Sequence, residues 1–178
     1  GYPERMTDAL QKTVDEILAS DTACFSMGGD HFISLPLLRS HVKKFGPLAL
    51  IHFDAHSDAW VDEDYNHGTM FYHAIKEGLI DTKHSIQVGL RTPNPETHGI
   101  EIIFADELDE MKASEVAERI KKRVGNNNAY LTFDIDFLDP AYAPGTGTPV
   151  SGGPSVIKGR NILKALAGLN IVGGDLVE

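Results

Sequence analysis

The sequence predicts an α/β fold, a three-layer α/β/α domain on a mostly parallel central sheet, and three observations lead there. Short apolar runs alternate with stretches of helical periodicity, which implies right-handed crossovers and a sheet covered on both faces. Several of the runs stop abruptly at acids and histidines, and active sites in such sheets sit at the carboxyl ends of the strands. The 178 residues, 42% of them hydrophobic, are enough to bury the core of one ordinary domain.

Along the chain, Leu10, Val14, Ile17 and Leu18 fall on one face of a helix predicted over residues 7–20. Residues 22–27 read as a short strand that Gly28-Gly29 breaks, leaving Asp30 and His31 at its tip. Ser34 is expected to cap a helix with Pro36 in its first turn and a stop near Gly46. The strand over residues 48–53 comes next, and side chains two apart on an extended backbone share a face, so Asp54, His56 and Asp58 can converge. After a polar loop, residues 69–76 read as a helix, and 85–90 and 100–105 as strands separated by a proline-rich loop. Val116, Ile120 and Val124 mark a helix over 113–124 that Gly125 ends. The fifth strand, 129–134, presents Asp134 and Asp136 at the same two-residue spacing as the earlier tip. A loop rich in glycine and proline, a helix over 155–167 and a sixth strand from Leu169 complete the chain, with Asp175 and Glu178 at its end.

The net charge of −10 argues against a nucleic-acid partner, and the longest basic run, Lys121-Lys122-Arg123, sits on a helix. An acidic surface favours cations, either metal ions or small amines. Cys24 is the sole cysteine, consistent with a reducing compartment, and no run is apolar enough for a membrane span or signal segment; a cytoplasmic location is the expectation. The chain opens on Gly1-Tyr2-Pro3 and stops directly after an apolar segment, so residues 1–178 are expected to form one domain that is incomplete at both ends.

The strand tips together supply carboxylates and histidines but no thiolate. Such a set suits Mn²⁺ first, and less exclusively Fe²⁺, Co²⁺, Ni²⁺ or Zn²⁺. Carboxylates gathered at one end of a sheet repel one another unless cations sit among them, and two divalent ions are a natural solution. Asp30, Asp139 and Asp175 read equally well as caps or loop braces. His41, His52, His73, His84 and His98 read as structural or exposed, and Trp60 as a packing residue or part of a channel wall.

Six stretches then add a resemblance: Gly28-Gly29-Asp30-His31, Phe53-Asp54-Ala55-His56-Ser57-Asp58, Asn66-His67-Gly68-Thr69-Met70-Phe71, Thr132 to Pro140, Pro144 to Pro149, and Asp175-Leu176-Val177-Glu178. In order and spacing they resemble the ureohydrolase family, the arginase and agmatinase group of binuclear manganese amidinohydrolases, and most of all its bacterial agmatinases. The resemblance implies two Mn²⁺ per subunit, one held by His31, Asp54, Asp58 and Asp134, the other by His56, Asp54, Asp134 and Asp136. It implies a metal-bridging hydroxide, oriented by Asp58, that attacks the guanidinium carbon, with His67 moving protons and Glu178 gripping the guanidinium. It also implies a small guanidino substrate, an amine and urea as products, and a homo-oligomer, a trimer or hexamer, for the full-length protein.

The loop after the second stretch carries Asp62, Glu63 and Asp64, which disfavour a substrate carboxylate and favour a second cation, as in agmatine. The alternatives are another guanidino hydrolase, such as a guanidinobutyrase or arginase, a catalytically silent metal-binding relative, and the zinc deacylase branch of the same fold. His56, Asp136 and Glu178 favour two metals and a cationic substrate over the last of these.

Overall fold

Alternation of apolar runs and amphipathic stretches resolves, in a computed structural model describing residues 3–178, into six parallel strands and six helices. In chain order these are α1 (Pro3–Ala19), β1 (Cys24–Met27), α2 (Ser34–Phe45), β2 (Ala49–Phe53), α3 (Met70–Lys76) and β3 (Ile86–Leu90). Then follow β4 (Glu101–Phe104), α4 (Ala105–Glu110), α5 (Ala113–Val124), β5 (Ala129–Asp134), α6 (Val156–Ala165) and β6 (Ile171–Val177).

The strands lie in the order β1-β6-β5-β2-β3-β4, and every pairing is parallel. From β2 the chain steps outward through β3 to β4, then returns to the other side of β2 with β5. The order therefore reverses between β2 and β5, which is where open α/β sheets place their ligands. The register pairs Phe53 with Phe133, so the next residues on the two strands, Asp54 and Asp134, leave the sheet side by side.

Both faces are covered, as parallel sheets require. Ala49, Ile51 and Phe53 of β2 point to one face and pack with Val116, Ile120 and Ile162 of α5 and α6. Leu50 points to the other, where Val14 and Leu18 of α1, Leu35 and Leu38 of α2, and Met70 and Phe71 of α3 close over it. At about 25 cal/mol per Å² of apolar surface removed from water, each fully buried Val, Leu, Ile, Phe or Met side chain among them contributes roughly 1.5–3 kcal/mol.

Local chemistry departs from the sequence expectation at three points. Ser34 does not cap α2: a 3₁₀ turn over His31–Ile33, capped by Asp30 Oδ1 accepting from the Phe32 N–H at 2.9 Å, runs straight into that helix, which has no side-chain cap of its own. Ser34 Oγ instead donates to Asp175 Oδ2 at 2.8 Å. Ala105, expected at the end of the strand over 100–105, instead opens α4, with Asp106 and Glu107 in its first turn where the helix dipole favours acids. Ser155 lies outside α6 as its cap, accepting from the Lys158 N–H at 3.2 Å.

Candidate metal centre

The strand tips converge by turning rather than by extension. β2 ends at Phe53, so the expectation that Asp54, His56 and Asp58 share one face of an extended strand is corrected. Asp54 Oδ1 accepts from the His56 N–H at 2.6 Å, which folds the backbone into an Asx turn, and Asp58 sits at φ 49°. The tip of β5 repeats the device: Asp134 Oδ1 accepts from the Asp136 N–H at 2.8 Å and starts a 3₁₀ turn over Ile135–Phe137. Each aspartate spends Oδ1 on its own loop and turns Oδ2 toward His31. The Ala55 N–H donates to Asp136 Oδ1 at 3.1 Å and ties the two loops together.

These Oδ2 atoms and that of Asp58 meet at His31. Its Nδ1 lies 2.9 Å from Asp58 Oδ2 and 3.2 Å from both Asp54 Oδ2 and Asp134 Oδ2. Beside this group, His56 Nδ1 lies 3.0 Å from Asp136 Oδ2 and 3.3 Å from Asp54 Oδ1. Asp54 thus belongs to both clusters, one oxygen facing each. The second cluster consists of Asp54, His56 and Asp136, and Asp134 faces the first.

A proton count shows what these clusters lack. Thr132 Oγ1 donates to Asp175 Oδ1, so its oxygen is left to accept from His31 Nε2, 2.8 Å away. With its proton on Nε2, a neutral His31 directs the Nδ1 lone pair at three carboxylate oxygens, and this buried nitrogen has no hydrogen-bond partner. A proton or a metal cation between them removes the conflict.

The same deficit appears in the acidities. Burial, then the Asp54 charge, pushes Asp58 up to about 8. Burial likewise pushes Asp134 up to about 7, although His31 pulls it down. His31 is buried, which disfavours its cation, yet Asp134, Asp54 and Asp58 together raise it well above its ordinary value. Asp136 and Asp54 raise His56 to about 10. Carboxyls that retain protons near neutrality beside imidazoles that resist losing theirs mark a site short of positive charge. The hard oxygens and two imidazoles fit divalent ions of the manganese type.

A cavity of about 190 Å³ opens over the clusters, lined by His56, Asp58, Trp60, His67, Gly68, Asp134, Thr148 and Glu178. Glu178 Oε1 accepts from the His31 N–H at 2.9 Å, and His67 Nδ1 lies 3.7 Å from the same oxygen and 3.2 Å from Asp30 Oδ2. Trp60 therefore belongs to the wall. Asp62, Glu63 and Asp64 do not line it: all three are exposed, and both Glu63 oxygens take Lys76 Nζ, at 2.8 and 2.9 Å.

Other residues of consequence carried weaker signals. Arg91 donates to the carbonyls of Gly89, Asp136, Phe137, Leu138 and Val150, so one guanidinium pins the loop after β5 to the end of β3. Asp175 takes the hydroxyls of Ser34, Tyr130 and Thr132, and Asp139 braces its loop by accepting from the N–H groups of Ala141, Gly152 and Gly153. For Asp175 the signal lay in register, since Thr132 and Asp175 are opposed on β5 and β6.

Comparison with known proteins finds the same fold among solved structures. An agmatinase of Proteus mirabilis is 50% identical over all of this chain, which covers 58% of that relative's length. The structure of a hypothetical agmatinase from Burkholderia thailandensis matches with a TM-score of 0.97 at 50% identity, over 99% of this chain and 57% of that one. The proclavaminate amidino hydrolase of Streptomyces clavuligerus matches with a TM-score of 0.91 at 37% identity, over 97% of this chain and 61% of that one. The chain thus spans about three-fifths of the length of the relatives it matches. The family description "Arginase family" matches residues 1–178 throughout, and the chain belongs to that family.

Proposed function

We propose that this chain is the metal-bearing part of a binuclear manganese amidinohydrolase that converts agmatine and water to putrescine and urea. The observation that carries the reading is Asp54, which offers one oxygen to each of two adjoining His/Asp clusters at the floor of a cavity.

His31, Asp54, Asp58 and Asp134 would hold one ion, and His56, Asp54 and Asp136 the other. When bound, two such ions lower the pKa of water toward neutrality and polarise the group under attack. Asp58 lines the cavity and orients the attacking water by accepting its hydrogen bond. Glu178 also presents its carboxylate to the cavity, where a planar guanidinium can be held by paired N–H···O bonds. The water oxygen bonds to the guanidinium carbon and the bond from that carbon to the alkyl nitrogen breaks. His67, half exposed at the mouth, delivers the proton that the departing amine requires.

Agmatine as the substrate is supported by the named relatives at 50% identity. The acidic loop supplies less support, because Glu63 is neutralised by Lys76 and Asp62 and Asp64 lie away from the cavity. For the whole protein we infer a homo-oligomer. The test is urea release by metal-stripped protein supplied with Mn²⁺, using agmatine, arginine and 4-guanidinobutyrate. Urea from agmatine fastest of the three is the expected result; faster release from either acid would overturn the substrate assignment. No urea from any of them, with two ions bound, would overturn the hydrolase reading.

A further inference from the structure

His52 and Gln87 are buried polar side chains that the chemistry above does not use. His52 is 0% exposed and Gln87 2%, and they are opposed on β2 and β3. The His52 ring is walled in by Phe71, at 4.7 Å between ring centroids, and by His31, at 5.3 Å.

Hydrogen bonding decides the direction of every proton in this group. Gln87 Nε2 lies 2.7 Å from the Ser57 carbonyl oxygen. A carbonyl only accepts, so the atom facing it must be the amide nitrogen and not the amide oxygen. That nitrogen is also 3.0 Å from His52 Nδ1, toward which its second N–H points. His52 Nδ1 is therefore the acceptor and carries no proton. A neutral imidazole then carries its proton on Nε2, which stands 2.7 Å from Asp54 Oδ2.

We propose that Gln87 and His52 are positioning residues of the metal centre: Gln87 holds His52 as the Nε2–H tautomer, and that N–H fixes the carboxylate both ions share. The assignment rests on the reading of Asp54 as that shared ligand. His52 Nε2 lies close enough to His31, Asp54 and Asp58 to be counted among candidate metal donors. In this tautomer its lone pair is spent on a proton, so it supports a ligand and is not one. Asp54 Oδ2 has two lone pairs, one for the His52 N–H and one for a cation facing His31.

The experiment compares the wild-type chain with His52→Leu, His52→Gln and Gln87→Met. Calorimetric titration of metal-stripped protein should show Mn²⁺ affinity falling about 10–100-fold in His52→Leu. His52→Gln, which returns an N–H near the place of Nε2, should recover most of that loss. Long-range ¹⁵N–¹H spectra of the metal-stripped protein should show the His52 proton on Nε2 in the wild type and a mixture of tautomers in Gln87→Met. A proton on Nδ1 in the wild type, or Mn²⁺ affinity unchanged in His52→Leu, would overturn the proposal. If His52→Leu does not fold by circular dichroism, Gln87→Met takes its place in the titration, since it leaves the ring intact. A wild type that binds no Mn²⁺ defeats the metal-centre reading itself, and with it the role assigned here, whatever tautomer is observed.

Discussion

Arg91 Nη2 donates to the Asp136 carbonyl oxygen at 2.6 Å, although the two residues lie on loops from different strands. The guanidinium has no carboxylate partner within ion-pairing distance among the described residues and spends its donors on backbone carbonyls. Removing it strands those carbonyls together. Arg91→Leu should lower stability by about 2–3 kcal/mol, the scale of hydrogen bonds from a charged donor, as measured by denaturant unfolding. Arg91→Lys should recover only part, because a point charge cannot span five carbonyls.

Gly89 stands at φ 97°, and a Cβ there would come within 2.5 Å of the Phe137 ring. Gly89→Ala therefore meets a disfavoured backbone angle and an overfilled core at once. A loss of about 2–4 kcal/mol is expected, with the loop after β5 displaced enough to lower Mn²⁺ retention. Thermal unfolding and metal analysis of the same preparation check both effects.

Chelation should change the sign of the pH dependence of stability. Asp58, at about 8 in the fold against an ordinary 3.8, holds its proton more tightly folded than unfolded. That contribution is complete at low pH and lost as pH rises toward 8. His56, raised from 6.5 to about 10, acts in the same direction over a higher range, from its ordinary value upward. The melting temperature of chelated protein should fall from about pH 5 to about pH 9. With excess Mn²⁺ the trend should reverse over the lower part of that range, because protons then compete with the ions for the same atoms.

Glu178→Gln tests the grip on the guanidinium. The amide oxygen can still accept from the His31 N–H, so the loop should keep its shape and the two ions should remain. Loss of the negative charge should reduce kcat/KM by about 10–100-fold, mostly through KM, as expected when one charge-assisted pair is lost. Depletion of Mn²⁺ in this variant would contradict the assignment of Glu178 to substrate.

The layers and strands were legible because burial on both faces forces largely apolar runs, and those at 49–53 and 129–133 carry one polar residue each, His52 and Thr132. The pairing of Asp54 with Asp134 was legible too, since both follow directly on such runs. What the spacing could not show was the means of convergence. Alternation predicts an extended strand through Asp58, whereas each aspartate accepts a hydrogen bond from the backbone N–H two residues on, which bends the chain at once. Ser34 was misplaced for a related reason: a serine ahead of a proline reads as a cap, and only the fold brings Asp175 within its reach. Arg91 and Gln87 act through contacts across strands, which no local pattern encodes.

The parallel register of β2 and β5, Phe53 opposite Phe133, makes the two strands a ruler whose next mark on each side is an acid. Lengthening a connecting loop elsewhere leaves the ruler unchanged, whereas inserting one residue within either strand moves one acid off its mark and empties the centre. Loops that leave the sheet beyond these two acids can therefore vary in length without moving Asp54 or Asp134 out of register.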